Sequence, residues 1–211
     1  MKETKKKLKK PISVKNLFDQ KFKLIDWDGE WFDAYANPEI AGTWFIWGKS
    51  GNGKTSFILQ LIKQLAAKQR ALFNSLEEGQ SRSIQNAFAR VGMADVKKNV
   101  LLVSDGYEDL IERLQRRNSP NIVVIDSFQY LQISYQQYIV LKETFPKKLF
   151  IFVSHADGSA PAGRPAKSVM FDASLKIYVE GYRAFSKGRY IGTKGYYNIW
   201  HEGALQYWGT N

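Results

Sequence analysis

The chain is expected to fold as an α/β protein around a mostly parallel central sheet with an antiparallel extension at its C-terminal end. Three observations point there. From Thr43 onward, short apolar runs alternate with segments of helical period, the pattern of strand–helix–strand units. A glycine-rich turn, Gly48 to Gly53, joins the first apolar run to the first helical one. Beyond Leu175, short runs follow one another through tight glycine-bearing connections, which suit hairpins better than crossovers.

Thr43-Trp44-Phe45-Ile46-Trp47 reads as the first strand. From Lys54 to Gln69, the apolar residues Phe57, Ile58, Leu61, Ile62, Leu65 and Ala66 trace one helical face. Ala71 to Asn74 is the second strand. A helix is expected from about Ser81, with Ile84, Ala87, Phe88 and Val91 inward and Gly92 as its C-terminal stop. Val100 to Val103 is the third strand, and Leu110, Ile111 and Leu114 mark the next helix. Asn121 to Asp126 is apolar on both faces, as a central parallel strand requires, and Leu149 to Val153 is of the same type. Between His155 and Ser168 a loop rich in Gly, Ala and Pro is expected, carrying Arg164 and Lys167. Leu175 to Val179, Tyr190 to Thr193, Tyr196 to Trp200 and Leu205 to Trp208 read as short strands. Residues 12–42 show no clear period. Their aromatics Phe18, Phe22, Trp27, Trp31, Phe32 and Tyr35 predict a cover packed on the core.

The 211 residues suffice for one domain, expected over 12–211 behind a basic flexible tail at 1–11. No apolar run approaches the roughly 18 residues of a membrane span, and no apolar segment marks a secretory signal. Cysteine is absent, which excludes disulfides, thiolate metal sites and a cysteine nucleophile, and His155 and His201 are the only histidines. These features fit a cytoplasmic protein without a membrane partner. The formal net charge is +11. The first ten residues hold six Lys and one Glu, so the remainder is still basic. Basic surface attracts phosphate backbones, although a charged tail also serves solubility alone.

Gly48-Lys49-Ser50-Gly51-Asn52-Gly53-Lys54-Thr55 matches G-x-x-x-x-G-K-[ST] in full, between a strand and a helix. Glycines let such a loop curl so that its amides point at phosphate oxygens, at the positive end of the following helix. Lys54 then supplies a point charge to the β/γ-phosphates and the Thr55 hydroxyl binds Mg²⁺, so the ligand expected is ATP with Mg²⁺. Asp126 ends its apolar strand where a carboxylate can hold the Mg²⁺ shell. Glu77 and Glu78 follow the second strand at the crevice end of a parallel sheet. A carboxylate there either polarises the attacking water or supplies an acidic first turn to the next helix.

Ala71-Leu72-Phe73-Asn74-Ser75-Leu76-Glu77 resembles the segment after the second strand in RecA-like ATPases, most of all the DnaB-type helicases. The resemblance covers roughly residues 43–210 and implies a three-layer RecA-like sandwich with Glu77 as the catalytic glutamate and Glu78 as its understudy. Phe150 to His155 resembles the strand whose end carries a γ-phosphate sensor, which implies that role for His155. Ser186-Lys187-Gly188-Arg189-Tyr190-Ile191-Gly192 resembles the Lys-x-Arg segment that ring ATPases insert into a neighbour's site. Lys187 and Arg189 would then act in trans, within a homo-oligomeric ring or filament. The phosphate loop is specific only to the superfamily, and the other motifs are short; their common order carries the resemblance. Helicases of this type have a separate N-terminal helical domain, which the residues before Thr43 do not resemble. In RecA-like assemblies the loops after the fourth and fifth strands face nucleic acid. Here these would be Tyr130 to Tyr138, where Tyr130, Tyr135 and Tyr138 either stack on bases or belong to the core, and Asp157 to Lys167. The expected activity is Mg-ATP hydrolysis coupled to single-stranded DNA, in a helicase, translocase or accessory. The alternatives are a small-molecule P-loop kinase, with Arg82 and Arg90 over the phosphates, or a non-hydrolysing assembly switch.

Overall fold

The computed structural model describes residues 10–209, so the basic tail expected at 1–11 lies almost wholly outside the described residues. Two short helices, α1 (Val14–Phe18) and α2 (Gly29–Tyr35), precede the sheet. Strand and helix then alternate through β1 (Gly42–Gly48), α3 (Lys54–Ala66), β2 (Ala71–Ser75), α4 (Arg82–Val91), β3 (Val100–Val103), α5 (Tyr107–Gln115) and β4 (Ile122–Asp126). Next come α6 (Phe128–Leu131), α7 (Tyr135–Thr144), β5 (Leu149–Asp157), the two-residue β6 (Ala160–Pro161) and α8 (Arg164–Asp172). The chain closes with β7 (Leu175–Glu180), β8 (Arg183–Ser186), β9 (Tyr196–Asn198) and α9 (His201–Trp208).

The sheet order is β3-β2-β4-β5-β1-β7-β8-β9, with β6 paired to β5. From β3 to β7 every neighbour is parallel, and β8 and β9 add antiparallel strands. The α/β class, the mostly parallel sheet and the antiparallel C-terminal extension are all present. The strand starts are level: Ala71 pairs with Val100 and Ile122, and Leu149 pairs with Ile122 and Gly42. Every site built on one end of this sheet therefore faces the same way.

Alternation along the strands makes the sandwich. Trp44, Ile46, Phe73, Val124 and Ile151 pack on one face with α2, α3 and α4. Phe45, Trp47, Leu72, Ile125 and Phe152 pack on the other with α5, α6, α7 and α8. Helix α3 buries Phe57, Ile58, Leu61, Ile62 and Leu65, each worth roughly 1.5–3 kcal/mol when fully removed from water. The Ser81 hydroxyl accepts from Ile84 N to start α4, and Gly92 ends that helix in the left-handed region.

Four expectations are corrected. Leu205 to Trp208 belong to α9, because Gly203 and Ala204 allow a helix to lie tightly on Tyr182 and Trp200. Tyr190 to Thr193 form no strand; Gly192 N instead donates to Ala34 O, tying the segment to the end of α2. The strand that pairs with β7 lies earlier, at Arg183–Ser186. The expected loop from His155 to Ser168 is the end of β5, a small hairpin and α8, whose first turn contains Pro165, a residue suited to a helix start. The segment from Tyr130 to Tyr138 is helical over much of its length, with Ser134 and Gln137 forming a capping box for α7.

The expected aromatic cover is half realised. Trp27 and Tyr35 are buried, and Trp31 stacks on Tyr197 with ring centroids 4.2 Å apart. Phe18, Phe22 and Phe32 are exposed. Among the described residues no helix is long and apolar enough to cross a membrane.

Candidate active site

The phosphate-loop sequence occupies the turn between β1 and α3, at the carboxyl edge of the sheet. Two glycines in it are required by geometry. A Cβ on Gly48 would lie 2.2 Å from Val179 O, so only glycine lets β1 and β7 run side by side at this point. Gly53 enters α3 at φ 93, and a Cβ there would also crowd Tyr182 at 3.2 Å. The Asn52 side chain ties the loop to the β7–β8 turn, accepting from Gly181 N at 2.8 Å and donating to Ser50 O at 3.1 Å. Lys54 folds back, its Nζ donating to Lys49 O at 2.9 Å.

Lys54, Thr55, Glu77, Glu78, Asp126 and His155 line one cleft of about 270 Å³ with Ser50, Gly51 and Gly53. Residues spread over a hundred positions meet because their strands start level and run the same way. Asp126 is the last residue of β4 and is 8% exposed. Its carbonyl accepts from Leu76 N at 2.6 Å and Glu77 N at 3.2 Å, which fixes the backbone that carries Glu77. The Asp126–Ser127 peptide is cis. Glu77 Oε2 lies 3.2 Å from His155 Nε2, each side chain about one-third exposed.

Burial and then the neighbouring Glu77 push the Asp126 carboxyl up to about 7, against the opposing pull of Lys54. Burial lowers the Lys54 ammonium, while Asp126 and Glu77 partly restore it. The cleft therefore holds a buried acid short of positive charge beside a Thr55 hydroxyl. Hard oxygen donors of this kind suit Mg²⁺, and a divalent cation would return Asp126 to its charged form. The hydroxyls of Ser75 and Ser127, beside Asp126 in sequence or register, are buried without a partner.

Gln129, Tyr182, Gln60 and Trp200 contribute here without having been singled out in the sequence. Gln129 on α6 accepts from His155 N at 3.2 Å and donates to Ser154 Oγ at 2.8 Å and Ala162 O at 2.9 Å. It pins the end of β5 where His155 emerges. Tyr182 lines the cleft from the β7–β8 turn. Gln60, Arg90 and Trp200 join Gly53, Ser56 and Tyr182 around a second cavity of about 560 Å³, contiguous with the first. The sequence signal for Tyr182 is the Gly181-Tyr182 turn between two alternating runs, which stands out only when Arg183–Ser186 is taken as a strand.

Solved structures with this architecture include a KaiC-like protein from the hyperthermophilic archaeon Pyrococcus horikoshii. It is 20% identical, with a TM-score of 0.56, over 74% of this chain and 88% of that one. The flagellar accessory protein FlaH from Methanocaldococcus jannaschii is 14% identical, with a TM-score of 0.57, over 84% of this chain and 92% of that one. The fold is RecA-like. These likenesses do not single out the DnaB-type helicases. No protein-family model and no curated protein matches the chain.

Two residues of the expected site stand apart from the RecA-like cleft. Lys187 N donates to Lys176 O and Arg189 N to Ser174 O, near the start of β7, whereas Val179 of the same strand lies beside Gly48. At about 3.3 Å per residue they sit roughly 10 and 16 Å back along the strand from the phosphate loop. Both are exposed.

Proposed function

We propose that the chain is a RecA-like ATPase that binds ATP with Mg²⁺, hydrolyses it and acts on DNA as a homo-oligomer. The observation that carries the enzymatic part is the meeting of Lys54, Thr55, Asp126, Glu77 and His155 in one cleft. The loop amides and Lys54 hold the phosphates, and Thr55 with Asp126 holds the metal. The second cavity, with Tyr182 and Trp200 on its wall, continues from Gly53 and Ser56 and is of a size to take the nucleoside. Bound Mg²⁺ would supply charge neutralisation at the β- and γ-phosphates.

Glu77 is the base in this reading: it orients a water and takes its proton as the water oxygen bonds to phosphorus and the bond to ADP breaks. His155 keeps the Glu77 carboxylate in place and responds to the γ-phosphate. Lys187 and Arg189 are too far along β7 to serve their own cleft, and their exposure supports a role in a neighbouring copy. The DNA part rests on the excess of basic residues and the earlier resemblance. The alternatives, a small-molecule kinase and a non-hydrolysing assembly switch, differ in outcome.

The deciding experiment measures phosphate release with and without single-stranded DNA, alongside mass in solution with a non-hydrolysable ATP analogue. Turnover raised by DNA, in an assembly larger than one chain, is the expected result. A monomer indifferent to DNA would remove the motor and the trans role together. Phosphate transfer to a metabolite would establish the kinase, and negligible turnover unchanged by Glu77→Gln would establish the switch.

A further inference from the structure

The parallel sheet is electrically polar from end to end. At the carboxyl edge β4, β5 and β7 finish on Asp126, Asp157 and Glu180, while β2 and β3 are followed two residues on by Glu77 and Asp105. Acids there suit a cation site. The amino edge is the reverse. Lys68 and Arg70 precede β2, Lys97 and Lys98 precede β3, Arg116 and Arg117 precede β4, and Lys147 and Lys148 precede β5. The four connecting segments, 67–70, 97–99, 116–121 and 145–148, contain no acid. The sequence scatters these pairs over eighty positions, and the order β3-β2-β4-β5 gathers them on one edge.

All but Lys148 are exposed. Lys148 is buried and knits the edge together, its Nζ donating to Pro120 O at 2.7 Å and Ser119 Oγ at 2.8 Å. Arg70 donates to Asn118 O at 3.1 Å, and Asn99 Nδ2 to Ala66 O at 2.8 Å. The segments are thus held to one another. Neighbouring acids neutralise little of the charge. Glu112 pairs with Arg116 in the open, Asp95 is engaged by Lys63, Asp26 stands 4.0 Å from Lys68, and Glu143 is on the last turn of α7.

We propose that this amino edge is a second site, which binds the phosphate backbone of a nucleic acid without regard to sequence. It does not steer nucleotide to the cleft. The strands put roughly 16 Å between the two edges, beyond a Debye length of about 8 Å at physiological salt. Four strands at about 4.8 Å spacing present their cations over roughly 14 Å, a span in which one strand of duplex DNA carries about four phosphates. A membrane surface suits it less well, since none of the large exposed apolar side chains lies in the four segments and nothing there would enter the headgroup layer. The DNA partner in the preceding section gains a specific surface from this assignment. Arg164 and Lys167, on α8, belong to a different face.

The test is fluorescence anisotropy of a labelled oligonucleotide, single-stranded or duplex, with the full chain over a series of salt concentrations. The triple variant Lys97→Ala, Arg117→Ala, Lys147→Ala removes one exposed cation from each of three segments. Its slope of log affinity against log salt is expected to fall by about 2 on single strands and about 2.7 on duplex, with affinity roughly tenfold weaker or worse. ATP turnover without DNA should be unchanged, and the pair Arg164→Ala, Lys167→Ala should bind as wild type. A triple variant that keeps the wild-type slope, or a loss confined to the α8 pair, overturns the edge site alone and leaves DNA as partner. Absence of wild-type binding to either oligonucleotide, with capture by phosphatidylserine vesicles instead, overturns both.

Discussion

Replacing Tyr138 by Phe deletes one hydroxyl from a side chain that is fully buried between α7 and the sheet. That hydroxyl donates to the Asp172 carboxylate and shares a 2.9 Å hydrogen bond with Thr43. Lys142 Nζ reaches the same carboxylate oxygen at 2.6 Å. The change removes a bond to a charged group and strands a buried Thr43 hydroxyl, together about 2–3 kcal/mol. For a domain of this size each kcal/mol shifts Tm by about 2–4 °C, so a drop of roughly 5–10 °C is expected. The pH dependence follows from Asp172. Burial would raise its carboxyl, but the hydrogen bonds from Lys142 and Tyr138 outweigh that and hold it below 3.8. Such a group gives its full stability above its unfolded pKa of about 3.9 and loses it as pH falls through the lower folded value. The gap between wild type and variant should be constant near neutrality and narrow below about pH 4. Thermal melts followed by near-ultraviolet circular dichroism measure it. Equal melting temperatures at neutral pH, or a gap that widens on acidification, would refute the reasoning. Unchanged DNA affinity is also expected, because Tyr138 is core and not a stacking platform.

Asn52→Ala removes the link between the phosphate loop and the Gly181 amide; stability is expected to fall by about 1 kcal/mol and the KM for ATP to rise with little change in kcat, and an unaltered KM in steady-state assays would count against the link. Glu77→Gln should lower turnover by about 10²–10⁴ while ATP still binds, checked by single-turnover phosphate release and nucleotide titration. Mixing that variant with a Lys187→Ala, Arg189→Ala protein should restore about a quarter of wild-type turnover under random assembly, because each supplies what the other's interface lacks; mixtures as inactive as their components would remove the trans role. Chelation of divalent cations with EDTA should abolish phosphate release, and full activity without them would exclude Thr55 and Asp126 as metal-holding residues.

Local signals were legible in proportion to how much of their cause is local. The strand Ile122–Asp126 was readable because a strand covered on both faces must be apolar throughout, and the partly exposed edge strand Val100–Val103 because its four residues are all apolar and two are β-branched. The end of α4 at Gly92 was readable because only a left-handed residue closes the helix in that way. Helix α9 was not, since its place is set by Gly203 lying against Tyr182 of the β7–β8 turn and by Trp208 meeting Phe185 of β8, contacts made with residues far from the helix in sequence. Helix α8 was hidden by the Gly, Ala and Pro residues that lead into it, although Pro165 marks its first turn.

The sequence by itself determined the glycine-rich turn Gly48 to Thr55, because its pattern is local and needs only a strand before and a helix after. It also offered Asp126 at the end of an apolar strand and, through the RecA-like resemblance, Glu77 and His155 as residues expected at the site. Only tertiary structure decided that these three share a cleft with Lys54, and that Lys187 and Arg189 are held away from it near the start of β7. The physical reason is strand order. Parallel strands with level starts bring every carboxyl end to one edge and every amino end to the other. That rule brings Glu77 and Asp126 to the cleft beside the loop, and gathers on the far edge a row of cations that no stretch of the sequence displays as one.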